Sequence, residues 1–134
     1  MQDIAAYAAI LATYATLNLA WVGLFAMEMY RRELSALLVD KPRAPMAGLF
    51  YLLHAAGVLI LAVQPALASG EWSRAALSGA LFGLCTYGTY DLTNAATLRR
   101  WPANLVVIDL MCGVVLTALA ATAGFVAGRA VGAG

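Results

Sequence analysis

Four apolar runs, at about residues 4–27, 46–67, 75–97 and 105–126, make up most of this 134-residue chain. Each is close to the ~20 residues that a helix needs to cross a hydrocarbon core of ~30 Å. Their length and their Ala and Leu content fit helices, whereas a membrane barrel shows short alternating segments. Turn formers occupy the breaks: Pro42 and Pro45 before the second run, Ser69, Gly70 and Glu71 before the third, Trp101 and Pro102 before the fourth. The chain therefore reads as one all-α integral membrane domain, with four transmembrane helices in a compact bundle.

Charge supports this reading. Only 11% of residues are charged, about half the ~25% of a soluble domain. The net charge is +1, and no basic run exceeds two residues, which excludes the electrostatic footprint of a nucleic-acid binder. The N-terminus has no basic segment ahead of its apolar run, and that run is too long for a secretory signal. Cys85 and Cys112 lie in apolar runs without a CxxC or zinc-type spacing, so they read as small buried side chains. No cofactor motif and no metal-site spacing is present.

Loop charges orient the spans. Arg31, Arg32, Lys41 and Arg43 fall in the first loop and Arg99 and Arg100 in the third, against Arg74 and Arg129 on the other side. This bias places the first and third loops in the cytoplasm and both termini in the periplasm. Small residues recur at spacing four, at Ala75, Gly79 and Gly83, at Ala120, Gly124 and Gly128, and at Ala8, Ala12, Thr16 and Ala20. Such stripes let helix backbones approach closely, within a chain or between copies.

The polar residues inside the runs carry the functional argument. An acid at the centre of a span costs about 2.5–3.5 kcal/mol on insertion scales, yet Asp91 and Asp109 both lie in apolar runs. At ~1.5 Å per residue, Asp91, Asp109 and Asn18 all fall towards the cytoplasmic leaflet. Helical spacing puts Tyr87, Tyr90, Asp91, Asn94 and Leu98 on one face of the third helix. It puts Tyr14, Asn18, Trp21 and Phe25 on one face of the first. No Lys or Arg lies within the spans beside the acids. Each acid must then reach a loop Arg, hydrogen-bond to Asn18, Tyr90 or Asn94, or stay neutral. His54 has no second histidine to help it ligate and reads as a core or interhelical hydrogen-bonding residue. Trp21, Tyr30, Trp72 and Trp101 sit near span ends, where an aromatic belt is the default.

The run Tyr87, Tyr90, Asp91, Leu92, Thr93 and Asn94, followed by Ala96, Thr97 and Leu98, then Trp101 and Pro102, then Asp109 and Gly113, resembles a known pattern. It is the signature of a bacterial family of predicted membrane proteins, domain of unknown function family 2177. Trp21, Val22 and Gly23 with Tyr30, Phe50 with Tyr51, and Gln64 with Pro65 also resemble family blocks. Asn18 stands where members usually carry Asp, Cys112 where Trp is common, and His54 where Tyr is more frequent. The resemblance implies a small four-span protein of the bacterial inner membrane, and an association with lipid-modifying enzymes.

The expected site is the polar cluster Asn18, Trp21, Tyr87, Tyr90, Asp91, Asn94 and Asp109. Three readings fit it: a structural clasp, a site for a membrane lipid or small amphiphile, and an acid/base pair in a small lipid-modifying enzyme or enzyme subunit. The leading expectation is non-enzymatic, either amphiphile binding or an accessory role in a homo-oligomer or larger membrane complex. A transporter would need a dimer.

Overall fold

Proline and glycine punctuation delimits four helices in the computed structural model, which describes residues 1–41 and 43–133. Helix α1 spans Gln2–Leu34 and α2 spans Ala44–Ser69. Helix α3 spans Trp72–Thr97 and α4 spans Ala103–Gly132. Pro42, expected in the first turn, lies outside the described residues. Pro45 falls in the first turn of α2, where its missing N–H is harmless. Gly70 ends α2 with φ +76°, and its N–H donates to the Ala66 carbonyl at 2.8 Å.

Helix α1 runs past its expected end at residue 27. Residues 28–33 are polar but made of good helix formers, and Glu28 pairs with Arg32 one turn later at 3.6 Å. Helix α4 likewise continues past residue 126 through an Ala- and Gly-rich end. Two π-turns interrupt the helices, at Val22–Ala26 in α1 and at Leu59–Val63 in α2. The second precedes Pro65, whose ring would clash with the Leu61 carbonyl in a regular helix.

Helix α4 is central and packs most extensively on α3 and α1. Small residues make this possible. A Cβ added at Gly79 would lie 2.6 Å from the Ala121 Cβ, and one at Gly83 would strike the Gly113 carbonyl. One at Gly124 would meet Ile10 of α1 at 2.5 Å. The stripes of α3 and α4 are thus closely packed within the chain. The stripe of α1 is not: Ala8, Ala12, Thr16 and Ala20 are exposed, and α1 buries Ala6, Ile10 and Tyr14 instead. The bulkier face wins because Ile10 fills the notch over Gly124, where an Ala would leave a void.

Large apolar side chains cover the outside, including Leu24 at 69% exposure and Leu77 at 72%. Such a surface calls for an apolar solvent. Three helices, α1, α2 and α4, are long and apolar enough to cross a membrane. Helix α3 is long but carries Tyr87, Tyr90, Asp91, Thr93 and Asn94 in its second half. Cys85 and Cys112 are free, and Cys85 is exposed on α3, contrary to the expectation that both are buried. Its neighbour Gly83 points at α4, and two residues further around the helix faces out.

Candidate functional site

Helical spacing in the second half of α3 turns Tyr87 and Asp91 towards α4. The Tyr87 ring lies directly over Gly113, where any Cβ would collide with it. One turn later Asp91 is fully buried, and its carboxyl faces that of Asp109 on α4. Asp109 is itself only 3% exposed. Trp101, in the short connection between α3 and α4, folds back so that its Nε1 donates to Asp91 Oδ1 at 3.3 Å. Its ring also meets the Tyr90 ring edge-on, with centroids 5.6 Å apart.

From α1, the Tyr30 hydroxyl donates to Asp109 Oδ2 at 2.7 Å. This contact depends on the π-turn. Trp21 and Tyr30 are nine positions apart, which is about half a revolution on a regular helix of ~3.6 residues per turn. The π-turn at Val22–Ala26 absorbs one residue and swings Tyr30 towards the side that Trp21 faces. Phe25, expected on the inner face, is 61% exposed as a result and packs beside Trp21.

A second network lies beside the acids. The Tyr51 hydroxyl donates to Asn18 Oδ1 at 2.8 Å, and Asn18 Nδ2 donates to the Tyr87 hydroxyl at 3.1 Å. Tyr14 and Tyr87 share a hydrogen bond between their hydroxyls. His54 stacks on Tyr14, with centroids 4.4 Å apart, and its Nε2 pairs with Thr117 Oγ1 at 3.1 Å. It is an interhelical hydrogen-bonding residue in the core, with Nδ1 unpartnered.

The expected partners of the acids are therefore corrected. Asn18 serves tyrosines and not the acids, Tyr90 meets Trp101 edge-on, and no side-chain hydrogen bond of Asn94 occurs among the described residues. No loop arginine reaches the acids either, since the ion pair found among the described residues is Glu28–Arg32. Tyr30 and Trp101, expected in an aromatic belt, hold the carboxyls instead. Among the described residues, Asp91 Oδ2 is buried without a hydrogen-bond partner. Among the described residues, no three of His, Cys, Asp and Glu gather to hold a metal ion.

These groups border a cavity of about 360 Å³. Asn18, Trp21, Tyr87, Tyr90 and Asp109 of the expected cluster line it, joined by Val22, Tyr30, Phe50 and Thr86. Asp91 and Asn94 do not line it. Sequence reasoning missed Tyr30 because the π-turn has no clear sequence signal. It also missed Tyr51, whose position beside Phe50 in a family block was the one available hint.

The fold, with its long apolar helices, defines an all-helical membrane protein. The chain belongs to the DUF2177 family, described as predicted membrane proteins, which matches over residues 3–126 and so includes every residue lining the cavity. No curated protein and no solved structure matches the chain.

Proposed function

We propose that the protein binds a lipid or small amphiphile in the cavity bordered by Asn18, Tyr87, Tyr90 and Asp109. The supporting observation is the cavity's character: largely aromatic walls with a few polar groups, Asn18, Thr86 and Asp109, among them. Its ~360 Å³ is within the range of small-molecule sites. In this reading all four helices cross the bacterial inner membrane, with both termini periplasmic, and α3 crosses with its one acid, Asp91, fully buried inside the bundle. The cavity then lies towards the cytoplasmic leaflet, where an amphiphile can seat its head and leave its tail among lipids. The outward stripe Ala8, Ala12, Thr16 and Ala20 supports lateral association with a second copy or a larger membrane complex.

The facing carboxyls favour a second reading, an acid/base pair in a lipid-modifying enzyme. Binding is preferred because Asp109 alone of the pair lines the cavity, so Asp91 is not placed to touch a substrate. Mass spectrometry of protein extracted in mild neutral detergent tests the proposal. One amphiphile class is expected in near-equimolar amount with the chain, enriched over its share of the membrane. Lipid in bulk membrane proportions only would refute it.

A further inference from the structure

We infer that the bound amphiphile carries a cationic head, an alkylammonium group seated between Asp109 and the aromatic walls of the cavity. This rests on the cavity being a ligand site, and it names the chemistry that the site selects. Charge complementarity is the first argument. Asp109 lines the cavity, and no Lys, Arg or His does. Asp91, whose carboxyl faces that of Asp109, is fully buried, and its Oδ2 has no hydrogen-bond partner among the described residues. Among the described residues, the cavity lining thus carries one acid, Asp109, and no cation to offset it.

The second argument is which hydrogen-bonding groups are already engaged. The Tyr30 hydroxyl donates to Asp109, Asn18 Nδ2 donates to Tyr87, and Tyr87 and Tyr14 pair with each other. Asp109, Tyr30 and Asn18 keep oxygen lone pairs, which suit a cation; the Tyr90 hydroxyl and Trp21 Nε1, without a partner among the described residues, remain as donors, so the carboxyl of Asp109 sets the sign of the head. The third argument is the wall. Trp21, Tyr30, Phe50, Tyr87 and Tyr90 surround the cavity, and aromatic faces attract organic ammonium groups within ~6 Å. A bare inorganic cation instead needs a cage of about six oxygen ligands, which these rings do not provide.

Native mass spectrometry from neutral maltoside micelles tests the inference. The protein is titrated in parallel with decyltrimethylammonium, decyl sulfate and decanol, which share a tail and differ in head. One decyltrimethylammonium per chain is expected to bind about tenfold more tightly than decanol, with decyl sulfate weakest. Asp109→Asn keeps an acceptor for Tyr30 and is expected to remove the preference for decyltrimethylammonium over decanol. Tyr90→Leu, at a half-exposed position with no side-chain hydrogen bond among the described residues, is expected to reduce the preference about threefold. Equal binding of the three heads, or a preference for sulfate, would overturn the cationic head and leave the amphiphile site standing. Absence of any one-to-one binding would overturn both.

Discussion

Gly83→Leu is expected to remove most of the folded protein recovered in detergent, whereas Gly48→Leu is expected to leave it unchanged. At Gly83 a side chain would meet the Gly113 carbonyl and, at 2.8 Å, the Thr117 Cβ. Neither can retreat, because both belong to the central helix α4. Overpacking of this kind costs about 1–3 kcal/mol or more, and here it parts the two helices that align Asp91 with Asp109. A Cβ at Gly48 has nothing within 4 Å, so the same added bulk there goes into open space. Size-exclusion yield and thermal melting of the two variants check this. Equal recovery would show that the α3–α4 contact is looser than described.

The second large effect is expected at Asp91. Asp91→Leu should lower the melting temperature more than Asp91→Asn, by a difference of about 1–3 kcal/mol in stability. The amide of Asn can still accept from Trp101 Nε1 and can donate to the facing Asp109 carboxyl. Leucine does neither and leaves the Trp101 N–H without its partner. Thermal melts in one detergent decide it. A leucine variant as stable as the asparagine variant would mean that Asp91 adds no hydrogen bonding to the fold.

Helical spacing made much of this arrangement legible. Tyr87 and Asp91 are four residues apart and share a face, so an α-helix turns both towards the same neighbour. Asp109 on the next helix had to face inward, since lipid exposure would be costly. Burial of Asp91 and Asp109 follows from those two facts; their approach also needs the matching depth along the two helices. Small residues at Gly79, Gly83, Gly124 and Gly128 similarly marked tight crossings that the fold realises.

Other features depended on events with no periodic signature. The π-turn at Val22–Ala26 breaks the helical register, so extrapolating from Tyr14, Asn18 and Trp21 placed Phe25 inside and left Tyr30 at the membrane boundary. Trp101 read as an interfacial anchor because its fold-back onto Asp91 is set by the short α3–α4 connection, not by spacing. The Ala8 stripe looked like a packing face, but in an Ala-rich helix small residues mark several faces at once. Which one is buried was decided by the fit of Ile10 over Gly124.

A cavity-filling variant probes the account most directly. Val22 lines the cavity, is half-buried, and lies at the start of the π-turn. Val22→Trp places a bulky apolar ring in the space assigned to the amphiphile and removes no hydrogen bond. Protein extracted in mild neutral detergent should then lack the near-equimolar amphiphile expected with the unmodified chain, while retaining its helical circular dichroism and monodisperse elution. A Val22→Trp protein that keeps the same amphiphile in the same amount would contradict the assignment of this cavity as the binding site.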